Sequence, residues 1–325
     1  MGTARTVRAG VIGTGALGSH HARVYSSIES VSSLALYDRD RSRAEAVARE
    51  RGGRVCGTIG ELLDSCDAVS ICTPATHHHE AVRAAFARGA HVLVEKPIAS
   101  TVAEARDLVA ISRERGLVFQ VGHIERFNGA FEAARSLVRR PRFIEAHRLA
   151  TFTQRGLDVS VVQDLMIHDI DLILSLLGGD RLVDLRASGA GVLTSASDIV
   201  NARLEFAGGC TANVTASRIS REPLRKIRFF EEHRYVSADL REKSVEAYEL
   251  GGPFVPGSVP ADPASLIRPV AVAVDMTEPL RKEIDAFLAA ISGGGEPPVT
   301  GEAGLAALDV AEKILERVAE SRSRQ

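Results

Sequence analysis

The residues with the clearest chemical signature form a glycine-rich segment near the start of the chain. It follows an apolar run at residues 7–12 and reads Gly13-Thr14-Gly15-Ala16-Leu17-Gly18. In a strand-turn-helix unit, the first such glycine permits the tight turn, the second lets a pyrophosphate approach the backbone, and the third lets helix and sheet pack closely. The following helix points its first amides at the phosphates. The spacing predicts a dinucleotide site; the alternative is a glycine turn that binds no nucleotide.

Asp38 lies twenty residues after the last of these glycines, at the end of a second strand-like run at 34–37. Its carboxylate is placed to accept hydrogen bonds from the adenosine ribose hydroxyls and to repel a 2′-phosphate, so it favours NAD over NADP. The neighbouring Arg39 and Arg41 keep NADP as an alternative, because either guanidinium can pair with a phosphate.

Two further segments follow predicted strands, where ligands bind in a doubly wound sheet. Lys96 stands between a strand end and a proline, which indicates a positioned side chain rather than a surface lysine, the alternative interpretation. Three adjacent histidines are predicted to form a solvated helix start rather than a metal site, because neighbouring residues do not share a helix face. The two segments read Thr73-Pro74-Ala75-Thr76-His77-His78-His79 and Glu95-Lys96-Pro97.

A narrow polar stripe marks residues 163–177. At about 100° per residue, an arc of ~60° on this otherwise apolar helix contains Asp164, His168, Asp171 and Ser175. Buried polar groups need partners. Periodicity leaves two interpretations open, a structural histidine capped by Asp164 and a general base that a neighbouring carboxylate orients.

The elements that must position these residues alternate between strand and helix up to about residue 122. Helical stretches such as 42–51 and 102–115 separate strand-like runs at 7–12, 34–37, 68–72, 91–94 and 117–121. This order predicts right-handed crossovers and a doubly wound parallel sheet, the Rossmann arrangement of the α/β class. Residues 1–122 are therefore predicted to form the dinucleotide-binding domain.

The pattern changes after residue 142, where consecutive strand-like runs replace the alternation. These runs lie at 143–152, 181–193, 199–206, 211–217, 226–230 and 234–236. They predict an α+β domain on a largely antiparallel sheet across residues 123–325. Helices near 278–291 and 304–320 close the chain, and the last can pack back on the first domain. Residues 251–269 carry five prolines and are predicted to be irregular.

Composition limits the function classes. The 325 residues suffice for two cores, and the 45% hydrophobic and 25% charged residues are ordinary for a soluble protein. A net charge of −2 indicates no nucleic-acid partner, and no apolar run approaches the ~20 residues of a membrane span. The four cysteines lack CxxC spacing and are expected to be reduced thiols, so we expect a cytoplasmic protein.

Four motifs, in chain order, resemble those of the Gfo/Idh/MocA oxidoreductases. They are the glycine segment, Thr73-Pro74 with His78, Glu95-Lys96-Pro97, and Asp164-x-x-x-His168-Asp169-Ile170-Asp171. The resemblance covers nearly the whole chain and implies that Lys96, Asp164 and His168 line the catalytic site beside the nicotinamide. It implies cofactor contacts from residues 13–18, Asp38, Arg39, Thr73, Pro74, His78, Glu95 and Lys96. Ala75 departs from the asparagine often found after Thr-Pro, so any side-chain contact there is lost.

Residues 122–128, together with the segments 142–177 and 217–235, resemble the nucleotide-sugar branch of that family. This likeness implies that His123, Arg126, Asn128 and Gln163 contact the sugar or its diphosphate. Capping of the next helix by Arg126 and Asn128 is the alternative.

The resemblance implies NAD-dependent oxidation of a pyranose secondary alcohol, with the C3 hydroxyl of UDP-N-acetylglucosamine as the expected position. His168 would take the hydroxyl proton while Lys96 binds the oxygen. The alternatives are a free-sugar or inositol dehydrogenase and a non-catalytic sugar or cofactor sensor, which the presence of both residues disfavours. We expect a homodimer or homotetramer through the second domain, because apolar outer positions on an open sheet favour association.

Overall fold

The alternating elements of the first third of the chain form one parallel sheet, in the order β3-β2-β1-β4-β5-β6. The structure, a computed structural model, describes residues 6–153, 159–251 and 266–323. The predicted Rossmann arrangement is confirmed. Its strands are β1 (Val7–Ile12), β2 (Val31–Tyr37), β3 (Arg54–Val55), β4 (Ala68–Ile71), β5 (His91–Glu95) and β6 (Phe119–Gly122).

Helices connect the strands of the first sheet, precede and interrupt the second, and close the chain. Among them, α5 begins with a reciprocal capping box between Thr101 and Glu104 and ends at Gly116 in the left-handed region, φ 62°. The helices are α1 (Ala16–Tyr25), α2 (Arg41–Arg51), α3 (Ile59–Leu63), α4 (His78–Ala87), α5 (Val102–Arg115), α6 (Gly129–Leu137), α7 (Ile167–Leu177), α8 (Pro279–Gly293) and α9 (Gly301–Arg322).

The described residues form two units, and neither unit is continuous in sequence. The first comprises the chain up to Ile124 together with Glu278–Leu308, and the second comprises Glu125–Thr277 together with the residues from Asp309 onward. In the first unit, apolar residues of β1, β2 and α1 share a core with Ile284, Phe287 and Leu288 of α8. Among the described residues, none of the helices combines the length and the apolarity needed to cross a bilayer.

The second unit contains an eight-stranded sheet, in the order β14-β13-β12-β11-β7-β10-β9-β8. All neighbours are antiparallel except β7 and β10, which pair in parallel, so the predicted largely antiparallel sheet is confirmed. Its strands are β7 (Phe143–Leu149), β8 (Leu182–Ala190), β9 (Ile199–Phe206), β10 (Thr211–Ser217), β11 (Leu224–Phe230), β12 (Arg234–Asp239), β13 (Ser244–Leu250) and β14 (Ile267–Val270).

The alternation along these strands separates the two faces of the sheet. Ile144 and Ala146 of β7, like Val214 of β10 and Phe229 of β11, are fully buried. Their sequence neighbours on the opposite face are partly exposed. One face therefore forms the core of the second unit, and the other remains open.

One expectation about the proline-rich segment is wrong. Residues 252–265 lie outside the described part, but Ile267–Val270 forms β14, with Pro269 opposite Tyr248. This strand lies at the edge of the sheet. An edge strand tolerates proline because one side of it needs no ladder N–H.

Candidate active site

The glycine segment forms the turn between β1 and α1. Steric contacts require two of its three glycines, and the third borders open space. Gly13 has φ +89°, and a side chain there would meet the backbone of Cys72 at 2.9 Å. A Cβ on Gly18 would lie 1.8 Å from the carbonyl oxygen of Gly13, so only glycine closes this turn. At Gly15 a Cβ would meet no atom within 4 Å. The open space over Gly15 and the uncapped first turn of α1 fit a bound pyrophosphate.

Asp38 follows β2 and reaches back to this turn. Its Oδ2 accepts the Thr14 N–H at 2.7 Å and the Thr14 hydroxyl at 3.2 Å, and its Oδ1 accepts the Asp40 N–H at 2.8 Å. These bonds occupy three of about four lone-pair positions of a carboxylate. The remaining position on Oδ1 can accept a ribose hydroxyl. Arg39 is exposed beside it, and Arg41 donates to Glu45 at 2.8 Å.

His78 connects the two segments that follow β4 and β5. Its ring is 1% exposed, with Nδ1 2.8 Å from the Pro97 carbonyl oxygen and Nε2 2.9 Å from that of Thr73. Burial lowers the pKa of His78, against the two carbonyls, which raise it. The side chain therefore holds the Thr73-Pro74 loop against the segment that carries Lys96 and does not face solvent.

Lys96 is half-buried at the end of β5, and the carboxylate before it belongs to a hydrogen-bonded chain. Glu95 Oε1 lies 3.0 Å from Nε2 of His21 on α1. Burial alone would raise the pKa of Glu95, but the hydrogen bond from His21 and the charge of Lys96 lower it below its ordinary value. Sequence reasoning missed His21, because nothing in the local pattern links α1 to β5.

The three adjacent histidines occupy different environments. His77 is exposed and His78 is buried, and His79 Nε2 lies 2.7 Å from Asp107 Oδ2 on α5. The predicted solvated helix start is therefore wrong for His78, although the three side chains do diverge as successive positions at a helix start should.

Another group in the first unit brings possible metal-ligand atoms within 4.8 Å of one another, those of His21, Cys72 and Glu95. Burial raises the pKa of the Cys72 thiol well above its ordinary value. His21 and Glu95 are hydrogen-bonded to each other, so each of these two groups already has a partner within the protein.

In the second unit, the polar stripe begins on a π-helical turn. Residues Val162–Met166 form this turn, which carries Gln163 and Asp164 and continues into α7. Ser160 Oγ accepts the Gln163 N–H at 3.1 Å. Gln163, Asp164 and His168 are all partly exposed, whereas the apolar residues around them are mostly buried. π-Helical turns inside longer helices are frequent at functional sites.

The carboxylates that follow His168 pair with arginines. Arg126 binds Asp171 through two parallel hydrogen bonds of 2.7 and 2.6 Å. Arg148, 3% exposed, binds Asp169 through two bonds of 2.9 Å and donates to Glu125 at 2.8 Å. Burial alone would lower the pKa of Arg148, but these two carboxylates raise it. The pairs fix α7 to β7 and to the turn at 124–127.

The remaining predicted substrate residues are largely internal. Asn128 is the N-cap of α6, since its Oδ1 accepts the Ala130 N–H at 3.1 Å, and its Nδ2 donates to the Leu240 carbonyl at 2.8 Å. The structure thus gives Asn128 the capping role that the sequence left open. His123 is 1% exposed. Bidentate pairing engages the Arg126 guanidinium, so a diphosphate would compete there with Asp171.

Each unit contributes a distinct capability. The first contains a turn shaped for a dinucleotide, with a half-buried lysine after the strand next to it. The second contains a histidine and an aspartate on one helical segment, near buried ion pairs that limit its movement. A cation that stabilises an oxyanion and an imidazole that accepts a proton are the groups needed to oxidise an alcohol.

Comparison with known proteins identifies relatives over almost the full length. Residues 7–123 match the model of an oxidoreductase family with an NAD-binding Rossmann fold, and residues 121–235 match the GFO/IDH/MocA C-terminal domain. The chain is 38% identical, over 95% of its length and 96% of the relative's, to UDP-N-acetylglucosamine 3-dehydrogenase of Acidithiobacillus ferrooxidans. It is 29% identical, over 98% of both chains, to an inositol 2-dehydrogenase of Rhizobium meliloti.

Solved structures agree with these matches. A structure of the Acidithiobacillus ferrooxidans enzyme superposes with a TM-score of 0.89 over 96% of this chain and 97% of that one, at 38% identity. A structure described as that of a putative myo-inositol dehydrogenase from Sinorhizobium meliloti gives 0.80 over 97% and 98%, at 25% identity.

Proposed function

Because the chain belongs to the Gfo/Idh/MocA oxidoreductase family, we propose that it oxidises the C3 hydroxyl of UDP-N-acetylglucosamine to the 3-keto sugar with NAD. Family membership makes the chain a nicotinamide-dependent dehydrogenase. The observation that carries the choice of substrate is the 38% identity to a UDP-N-acetylglucosamine 3-dehydrogenase over 95% of the chain. The motif residues Lys96, Asp164 and His168 are all present.

In the proposed mechanism, two side chains act on one hydroxyl. His168 accepts the hydroxyl proton, and the Lys96 ammonium donates a hydrogen bond to the same oxygen and stabilises its developing negative charge. Asp164 orients this pair. When bound, NAD supplies the hydride acceptor. The proposal requires the ammonium and the imidazole to converge on one carbon–oxygen bond.

The proposed cofactor is NAD, in preference to NADP. Support comes from Asp38, whose remaining acceptor position suits a ribose hydroxyl and whose charge repels a 2′-phosphate. The glycine turn, together with Thr73 and Pro74, contributes to the proposed cofactor site. His78 and Glu95 contribute to this site indirectly: His78 holds the Thr73-Pro74 loop against Pro97, and Glu95 joins the end of β5 to α1.

Gln163 is the proposed direct contact to the nucleotide sugar, alongside Lys96 and His168, whereas His123, at 1% exposure, is too deeply buried for a direct contact. Arg126 and Asn128 contribute through the pairing and capping that shape the turn at 124–127. A cytoplasmic location stays a prediction.

An assay of NADH formation tests the proposal. Wild-type protein is given UDP-N-acetylglucosamine, UDP-glucose, free N-acetylglucosamine or myo-inositol, each with NAD or with NADP, and a 3-aminotransferase traps the unstable ketone. We expect kcat/KM for UDP-N-acetylglucosamine to exceed that for the free sugars by about 100-fold or more, since a substrate without the nucleotide diphosphate loses the binding energy of that part. We expect NAD to be preferred by at least about tenfold.

Oxidation of myo-inositol but not of UDP-sugars would instead support the second candidate, an inositol dehydrogenase, which the match to the Rhizobium meliloti enzyme favours. Sugar binding without NADH formation from any of these compounds would indicate a sensor.

A homo-oligomer through the open face of the second sheet is part of the proposal. A row of four aromatic rings crosses this face, on β7, β11, β12 and β13. The ring centroids of Phe143 and Phe230 lie 5.8 Å apart, those of Phe230 and Tyr235 5.2 Å, and those of Tyr235 and Tyr248 6.3 Å. Phe230 is 36% and Tyr248 37% exposed. Contiguous exposed aromatic surface is typical of an interface.

Light scattering should give at least twice the chain mass of 34.7 kDa, and Phe230→Glu should shift the mass towards that of one chain. A monomeric wild-type protein would contradict this part of the proposal.

A further inference from the structure

A buried chain of four polar side chains lies in the first unit and has no part in the mechanism above. Tyr25 OH lies 2.9 Å from Ser70 Oγ, which lies 3.0 Å from His21 Nδ1. His21 Nε2 lies 3.0 Å from Glu95 Oε1. Tyr25 and Ser70 are fully buried, and His21 is 1% exposed. The chain therefore runs from the interior of the unit to the carboxylate beside Lys96.

One order of protons satisfies every group in this chain. Burial raises the pKa of Tyr25 well above its ordinary value, so Tyr25 keeps its proton and donates to Ser70. The Ser70 hydroxyl then donates to Nδ1 of a neutral His21, and Nε2–H of His21 donates to the ionised Glu95. An imidazolium would instead donate to Ser70, and one of the two hydroxyl hydrogens, that of Ser70 or that of Tyr25, would then have no acceptor within this hydrogen-bonded series.

The same arrangement confines the Glu95 carboxylate on its other side. Glu95 pairs with Gly122 across β5 and β6, and a Cβ on Gly122 would lie 3.0 Å from Glu95 Oε2. One oxygen thus contacts the imidazole of α1, and the other lies against the α-carbon of a glycine. The carboxylate is therefore confined on both sides, and although burial alone would raise its pKa, the hydrogen bond from His21 outweighs burial and keeps the pKa low.

We propose that His21 is a positioning residue, which fixes the Glu95 carboxylate at the end of β5 through the 3.0 Å hydrogen bond and so holds in place the segment that carries Lys96. This inference rests on the proposed role of Lys96. In this proposal α1 has two roles, because the helix whose first turn faces the pyrophosphate also supports the segment Glu95-Lys96-Pro97. A side chain that orients a catalytic group typically affects turnover more than ligand affinity, since small displacements of the reacting groups suffice to slow the reaction.

The kinetic test compares His21→Leu, which removes both hydrogen bonds, with His21→Gln, whose amide can still donate to Glu95. We expect His21→Leu to lower kcat by about 10- to 100-fold, with the Kd for NAD and the KM for sugar within about threefold of wild type. We expect His21→Gln to recover most of the lost kcat. The concentration of active protein is determined from the stoichiometry of NAD binding, so that partial unfolding is not mistaken for lower turnover.

Phe86→Leu is the matched control. Phe86 is a fully buried residue of the same unit, its ring centroid lies 5.2 Å from that of Phe119, and it takes no part in the hydrogen bonds from Tyr25 to Glu95. It should lower the unfolding temperature without lowering kcat per active site. An equal loss of kcat in His21→Leu and Phe86→Leu, or no recovery in His21→Gln, would overturn the inference.

A spectrum of the imidazoles separates this inference from the proposed function. In histidine-labelled protein, long-range proton–nitrogen correlations should show His21 as the Nε2–H tautomer. The His21 signal is identified by its absence from the spectrum of His21→Gln, and we expect it to shift in Glu95→Gln. An Nδ1–H tautomer or an imidazolium at neutral pH would overturn the proton order even if UDP-N-acetylglucosamine is the substrate. If another sugar is the substrate, the spectrum still applies and the kinetic comparison uses that sugar.

Discussion

Replacing Lys96 by alanine is expected to lower kcat by about three orders of magnitude, while the Kd for NAD stays within a few-fold of the wild-type value. The proposed ammonium binds the oxygen that becomes negative as the hydride leaves, so its contribution is larger in the transition state than in the ground state. Removal of one such donor, or of a proton-transfer group, typically costs 10²- to 10⁴-fold. Steady-state NADH formation and NAD titration by fluorescence measure the two quantities.

Lys313→Ala provides the control for this experiment. Lys313 lies on α9, exposed and paired with Asp309 at 2.6 Å, and its removal should leave both quantities unchanged. If Lys96→Ala lost NAD affinity and turnover to the same extent, the residue would serve cofactor binding, and the mechanism would need another cation.

Arg148→Met is expected to lower the free energy of unfolding by about 3–5 kcal/mol, the cost of leaving buried carboxylates without their cation. The guanidinium binds Asp169 twice and Glu125 once, and all three side chains are less than a tenth exposed. Without it, two carboxylates remain close together in the interior. A urea titration followed by circular dichroism gives the change in midpoint.

Arg317→Met serves as the comparison, since Arg317 makes an exposed ion pair with Glu320 on α9. Exposed pairs contribute at most about 1 kcal/mol. If the two variants unfolded at the same urea concentration, the Arg148 cluster would not be a determinant of stability.

The first unit could be predicted in most detail, because its signals are local. The turn at Gly13 demands a positive φ, and the contact between Gly18 and the Gly13 carbonyl excludes a side chain. Each of these requirements restricts the residue type at a fixed spacing. Buried strands such as β1 are continuous apolar runs, as expected in a parallel sheet.

The charge partners in the second unit could not be predicted from periodicity. The 100° projection places Asp164, His168 and Asp171 on one arc, but Val162–Met166 is a π-helical turn, in which hydrogen bonds span five residues. The projection therefore fails over this stretch. Asp171 pairs with Arg126, 45 positions earlier, and helical periodicity carries no information about such distant partners.

Strands β13 and β14 were missed for a related reason. β14 is an edge strand, and β13 beside it buries only Ala247, so neither sequence shows the apolar pattern of a central strand. In β14 even a proline is accepted.

The discontinuous first unit has a consequence for how the protein is made. Its core includes Ile284, Phe287 and Leu288 of α8, which emerge from the ribosome only after the whole segment 125–277 has been synthesised. At typical translation speeds this takes on the order of ten seconds. During that interval the nascent nucleotide-binding lobe exposes the apolar surface that α8 later covers, a target for chaperones.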